Sequence, residues 1–203
     1  SCVSKHGKLE QEVVKSFTKQ ILGGLEYLHS SNIMHRDLKA DNVLVDLIGR
    51  CKISDFGISK RSNEAYLTSQ YTPMQGTVFS MAPEVFNQPM ACRYSAKADI
   101  WSLGCLVLEM LCGSRAWTGY GSLQIIYKVG IERRQPEIPH NLLTDKFQNH
   151  FLNKCLEILS VTCFGRLSVS VVCLFANEIP GSEDMDFFGM IVVSPVHDQL
   201  LVG

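Results

Sequence analysis

The string His35-Arg36-Asp37-Leu38-Lys39-Ala40-Asp41-Asn42 gathers carboxylates, cations and an amide into eight residues. Asp55-Phe56-Gly57 follows, and further on Ala82-Pro83-Glu84. Side-chain oxygens such as those of Asn42 and Asp55 suit a hard divalent cation. The chemistry they suit is positioning and charge neutralisation. Each three-residue string alone is a weak signal, because such strings occur by chance. Asp41 reads as a surface or capping residue beside the others.

These residues need a scaffold. Val13, Val14, Phe17, Ile21, Leu25 and Leu28 recur at helical spacing, so an amphipathic helix is expected over Gln11–His29. Ser30, Ser31 and Asn32 end it just before the first charged loop. Two short strands are expected next, Asn42–Val45 and Cys51–Ser54, turning at Leu47–Gly49. The run ADIWSLGCLVLEMLC, Ala98 to Cys112, is apolar nearly all round. It predicts a buried helix that stops at Gly113. Leu123–Val129 and Asp145–Leu159 read as further helices. The predicted fold class is mainly α with a small β-hairpin, and the hairpin lies between the two acidic strings.

In this order and spacing the strings resemble the protein-kinase signature set HRDxxxxN, DFG and APE. The resemblance covers residues 1–157 and is to the C-terminal lobe of a kinase domain. It implies transfer of the ATP γ-phosphoryl group with Mg²⁺, a reaction that depends on positioning and charge neutralisation. Asp37 would accept the proton of the substrate hydroxyl. Lys39 would neutralise the transferred phosphoryl group, and Asn42 and Asp55 would hold the metal ions. His35 and Phe56 would be packing residues in an apolar column linking two lobes, with Gly57 completing the DFG string. Asp99 matches a family aspartate that braces the catalytic-loop backbone from the buried helix, and a buried charge there needs such hydrogen bonds.

The resemblance also implies a substrate. Lysine at position 39 and Thr77 are similar to the pattern of serine/threonine kinases. Asp55–Glu84 would be the activation segment, with Thr68, Ser69 and Thr72 as candidate phosphosites. Arg36 would pair with a phosphate there, since guanidinium binds phosphate bidentately. The longer strings ILGGLEYLHSSNIMHRDLKADNVLVD, CKISDFGISK, GTVFSMAPEV and SAKADIWSLGCLVLEMLCG resemble MAP kinase kinase kinases, most of all fungal ones of cell-integrity signalling. The implied partner is then a MAP kinase kinase. The alternative is a kinase fragment acting only as an interaction module.

The chain departs from the family in three places. It carries no GxGxxG followed by a strand, no VAIK-type lysine and no partner glutamate on a preceding helix. The N-terminal lobe is therefore expected to be absent. The isolated polypeptide is expected to be inactive, because electrostatic catalysis needs a preorganised, water-excluded site. Ser80 stands where the family usually has Trp, and Ala116 where Pro is common. After FLNKCLEI the family's Arg-Pro and last helix give way to LSVTCFGRLSVSVVCLF. Glu84 is then expected to lack its usual arginine, with Arg166 as a displaced alternative. Losing one partner of a buried pair costs about 3–5 kcal/mol.

The composition agrees with a cut at that point. The whole chain of 203 residues is 46% hydrophobic with a net charge of −1, which excludes a disordered tail and a nucleic-acid binder by bulk charge. Residues 1–157 hold 18 Lys+Arg against 15 Asp+Glu, while residues 158–203 hold one basic residue against five acidic ones. Residues 158–203 are expected to be a divergent apolar and acidic tail. Its run Ile158–Phe175 is interrupted by Gly165 and Arg166, so a buried or β-prone stretch is expected rather than a membrane span. No CxxC pair occurs among the eight cysteines, and the polar opening SCVSKHGKLE is no signal peptide. Free thiols and a cytoplasmic protein are expected.

Overall fold

The computed structural model describes residues 7–55, 60–61, 78–87, 96–142 and 146–157. The first helix, α1, spans Gln11–Ser30. Val14, Phe17, Ile21, Leu25 and Leu28 face the core as the periodicity predicts, while Val13 is more than a third exposed at the edge of the stripe. The backbone N–H groups of Ser31 and Asn32 close the last turn onto Tyr27, Leu28 and His29 carbonyls. Asn32 then takes φ 57°, the left-handed region that asparagine tolerates.

Strand β1 (Ile33–Met34) follows at once, and a 3₁₀ turn at Ala40–Asn42 leads into β2 (Val43–Val45). Strand β3 (Cys51–Ile53) pairs antiparallel with β2, with Val43 opposite Ile53 and Val45 opposite Cys51. The hairpin is thus the expected one, shorter by a residue at each outer end. Asn42 is drawn into the 3₁₀ turn, its N–H donating to the Lys39 carbonyl. Asp46 ties the turn, its Oδ1 accepting from the N–H groups of Ile48 and Arg50. Those backbone donors hold its carboxyl below the usual range. A second two-stranded sheet was not expected: β1 pairs with β4 (Lys60–Arg61). Two-residue strands carry no periodicity to read.

The hairpin docks on α1 through Gly24 and Gln20. A Cβ at Gly24 would sit 2.9 Å from Ile53 Cδ1, so glycine permits the approach. Buried Gln20 accepts from the Cys51 N–H at 2.8 Å and donates to the Gly49 carbonyl at 3.2 Å. Helix α2 is the short stretch Pro83–Asn87, with proline at its first position. Helix α3 spans Ala96–Cys112 and is buried on nearly every side, ending at Gly113 with φ 72°. It begins two residues before the apolar run, because the first turn is partly exposed. Helix α4 (Ser122–Ile126) passes into a π turn at Tyr127–Ile131, where one continuous helix was expected. Helix α5 spans Lys146–Cys155 and packs on α3 where a Cβ at Gly104 would lie 2.8 Å from Cys155 Cβ.

The core is one cluster. Leu25 and Leu28 of α1, Ile53 of β3, Leu103 and Leu111 of α3 and Leu152 of α5 are all buried within it. Burying a leucine or isoleucine side chain contributes about 1.5–3 kcal/mol each. The architecture is mainly helical with two small antiparallel sheets. Cys51, Cys105, Cys112 and Cys155 are free thiols, and burial pushes those of Cys105 and Cys155 far up, which leaves them inert. Cys2, Cys92, Cys163, Cys173 and the run 158–175 lie outside the described residues. Among the described residues no helix is long and apolar enough to cross a membrane.

Candidate active site

The loop between β1 and the 3₁₀ turn carries Asp37, and three bonds gather its neighbours around it. Lys39 Nζ donates to Asp37 Oδ2 at 2.6 Å. Asn42 Nδ2 donates to the Asp37 carbonyl at 2.8 Å and to its Oδ2 at 3.2 Å. Both N–H groups of the Asn42 amide thus turn toward Asp37, which leaves Oδ1 as the amide's free oxygen. The site is only partly open: the Asp37 side chain is 12% exposed and that of Lys39 23%.

The hairpin brings the second acidic string to the same place. The Ser54 N–H donates to the Asn42 carbonyl at 2.8 Å, and Ser54 Oγ donates to it at 3.1 Å. Asp55 follows directly, exposed, with φ 64°. Arg36, directly before Asp37, has φ 70°. Non-glycine residues in this region cost on the order of 1–3 kcal/mol and persist only where the surroundings hold them. The hold on Arg36 is visible. Asp99 of α3, 1% exposed, accepts from the Arg36 N–H at 2.8 Å and the His35 N–H at 2.9 Å.

His35 is fully buried. Its Nε2 lies 3.1 Å from the Ser54 carbonyl, and its Nδ1 lies 3.3 Å from the Asp37 N–H. A carbonyl accepts only, so these partners assign the ring proton to Nε2 and leave Nδ1 as acceptor. Both nitrogens are engaged inside the protein, which suits a packing residue and not a metal ligand. Phe56, Gly57, Thr68, Ser69, Thr72 and Thr77 lie outside the described residues. Asp41 makes none of these bonds; it is about half exposed, 3.7 Å from Arg115, and lines a cleft with Lys39.

These residues sit in a domain with known relatives. A family model described as the protein kinase domain matches residues 1–173. The chain belongs to the protein kinase family. Similar curated proteins include the mitogen-activated protein kinase kinase kinase bck1 of Aspergillus fumigatus, 55% identical over 142 residues, 70% of this chain and 9% of that protein. The MAP kinase kinase kinase mkh1 of Schizosaccharomyces pombe is 47% identical over 159 residues, 77% of this chain and 14% of that protein. The serine/threonine-protein kinase BCK1/SLK1/SSP31 of Saccharomyces cerevisiae is 46% identical over 160 residues, 78% of this chain and 11% of that protein. The chain therefore spans about a tenth of the length of the relatives it matches.

Two positions where this kinase domain departs from the family pattern prove to be neighbours. Ser80 and Ala116 are both buried, and both line one cleft with Lys39, Phe79 and Glu109. Ser80 also borders a second cleft, beside Arg36 and Asp99. Among the described residues Ser80 thus borders a cleft on two sides. Its carbonyl is held by Ser102 Oγ at 2.8 Å, so the turn keeps its anchor to α3. Burial pushes the Glu109 carboxyl up from the usual value, with Arg115 opposing. Glu84 is half-buried, and burial pushes its carboxyl up as well, while Lys97 and Arg133 pull it down. Arg166 lies outside the described residues.

Sequence reasoning missed two contributors. Gln20 reads as one polar residue in an amphipathic helix, yet it fixes the hairpin that carries Asp55. His29 reads as the last turn of α1, yet its Nε2 lies 2.7 Å from Asp99 Oδ2. Neither has a local signal, because each partner is about 30 or more residues away in the chain.

Proposed function

We propose that this chain is part of a serine/threonine protein kinase of MAP kinase kinase kinase type. In this reading it transfers the ATP γ-phosphoryl group to a MAP kinase kinase. The observation that carries the reading is the Asp37–Lys39–Asn42 cluster with Asp55 delivered beside it. Asp37 is the base: its carboxylate takes the proton of the substrate hydroxyl and orients the oxygen. Lys39, poised on Asp37, neutralises charge on the phosphoryl group in flight.

The donor set fits Mg²⁺ carried by ATP. The free Asn42 Oδ1 and the exposed Asp55 carboxylate offer oxygen to a hard cation. Among the described residues no three His, Cys, Asp or Glu side chains cluster to hold a metal alone. Mg²⁺ fits such a sparse site, because it keeps waters and takes further oxygens from nucleotide phosphates. When bound, the ion would neutralise phosphate charge; Asn42 and Asp55 only hold and orient it.

Lys39 and Thr77 support Ser/Thr specificity, and phosphorylation among Thr68, Ser69 and Thr72 would order the activation segment against Arg36. In this reading the kinase portion runs through residues 1–157, with a divergent tail after it. The test uses the full-length kinase and a recombinant MAP kinase kinase. Phosphate is expected on Ser/Thr of that substrate and is lost when those residues become Ala. Transfer to tyrosine alone would contradict the reading.

A further inference from the structure

The cleft beside Lys39 holds two carboxylates and a guanidinium that the proposed transfer reaction does not use. Asp41, Glu109 and Arg115 line it together with Lys39 and Phe79. Lys39 also belongs to the acceptor site, because its Nζ donates to Asp37. We propose that Arg115 is a specificity-determining residue: its guanidinium occupies the acidic cleft next to Asp37 and so denies that cleft to a cationic side chain flanking the substrate hydroxyl. The inference rests on the kinase reading of Asp37.

The fold puts Arg115 there. Helix α3 ends at Cys112, and Gly113 turns the chain at φ 72°, its N–H donating to the Glu109 carbonyl at 2.8 Å. Thr118 Oγ1 donates to the Arg115 carbonyl and so ties the loop that carries the arginine. Three neighbours receive the side chain. A guanidinium nitrogen lies 3.7 Å from Asp41 Oδ2, and the guanidinium carbon lies 5.5 Å from the centre of the Phe79 ring. Burial pushes the Glu109 carboxyl up, and Arg115 pulls it down while Asp41 pushes it further up, so the three charges act on one another. An aromatic face attracts a cation, so Phe79 holds the guanidinium from a second direction.

Charge decides what the cleft admits. Lys39 is engaged by Asp37, so the charges left in the lining are the Asp41 and Glu109 carboxylates and Arg115. Leu106 and Ala116 also line the cleft, and such apolar surface suits the methylene stem of an arginine or lysine whose head meets the carboxylates. An extended peptide advances about 3.3 Å per residue, so side chains a few positions from the acceptor come within reach of Lys39. Without Arg115 the cleft would draw a substrate cation. With it, the chain supplies that cation itself, and a second one meets a like charge, which discriminates against the partner that carries it. Asp41 and Arg115 are each about half exposed, so their pair adds little to stability, and selectivity is where the charge acts.

The test uses the full-length kinase and a recombinant MAP kinase kinase. The three positions on either side of its acceptor residue are changed one at a time to Arg or to Gln. The parent kinase is expected to use each Arg form no better than about twofold above the matching Gln form. Arg115→Gln removes the charge and should raise kcat/KM for the Arg form about fivefold against the Gln form at one position or more, through KM. Arg115→Lys should keep the parent ratios. Adding Asp41→Asn to Arg115→Gln should cancel most of the gain. Asp41→Asn alone should lower the Arg form about threefold against the Gln form, and this arm decides if an Arg115 variant fails to fold. Parent ratios at every position in both Arg115→Gln and Asp41→Asn would overturn the proposal, and so would a gain that survives Asp41→Asn. Failure of the underlying kinase reading looks different, because Asp37→Asn would then stay active.

Discussion

One buried carboxylate, Asp99, organises the loop that leads into Asp37. It holds two consecutive backbone N–H groups and a histidine, and removing it strands them all. Each stranded buried donor costs about 1–3 kcal/mol, so Asp99→Ala is expected to lower unfolding stability by about 3 kcal/mol or more in urea titration. Glu84 behaves in the opposite sense. Burial raises its pKa above the usual 4.5, so the folded state binds the proton more tightly than the unfolded one. Its contribution is fully present below about pH 4.5 and is lost as pH rises through the folded value. Glu84→Gln keeps the neutral shape at every pH. The variant should match the parent in acid and exceed it at about pH 7, read as urea midpoints at the two pH values. A midpoint lower than the parent at neutral pH would mean that the charged form is the one the fold stabilises.

At the scale of elements, the long periodic segments and the β2–β3 hairpin were legible, and the two-residue strand pair and the π turn were not. The spacing of Val14, Phe17, Ile21, Leu25 and Leu28 marks α1 because burial of one face selects those positions. The all-round apolar run of α3 marks a helix enclosed on every side. The pairing of β1 with β4 had no signature, since two residues hold no alternation. The π turn after α4 was also invisible; the Glu132 N–H donates five residues back to the Tyr127 carbonyl, a choice made by packing and not by residue type. In the proposed site, Asp37, Lys39, Asn42 and Asp55 carry a signal in their strings, whereas Gln20 and His29 act across long sequence separations. The Gln20 bridge can be tested as an element-level bond. Gln20→Leu strands the Cys51 N–H and the Gly49 carbonyl, and should cost about 1–3 kcal/mol per group while loosening the β2–β3 hairpin. Hydrogen exchange at Cys51 reads this directly.

Across the described residues, α3 packs against both α1 and α5, and Leu38 of the charged loop and Ile53 of the hairpin are buried in the same core. Small residues set the distances: Gly24 and Gly104 allow the hairpin and α5 to close in. Gly104→Val would force its new side chain into Cys155 and Leu156, an overpacking cost of about 1–3 kcal/mol or more in urea titration. The same core is expected to hold the loop and hairpin of the 203-residue polypeptide in place whether or not nucleotide is present. A thermal-shift assay with ATP and Mg²⁺ is expected to leave its melting midpoint unmoved. A clear upward shift would show that the site binds nucleotide without further structure.

The central claim is that Asp37 is the base of a phosphoryl-transfer site, and it is tested most directly by one comparison in the full-length kinase. Asp37→Asn keeps the size of the side chain and removes its capacity to take a proton. Asp41→Asn, four residues on, changes an exposed carboxylate outside the cluster. Initial rates of γ-phosphate transfer to a MAP kinase kinase should fall about a hundredfold or more in Asp37→Asn. They should stay near the parent rate in Asp41→Asn. A fully active Asp37→Asn kinase would contradict the account.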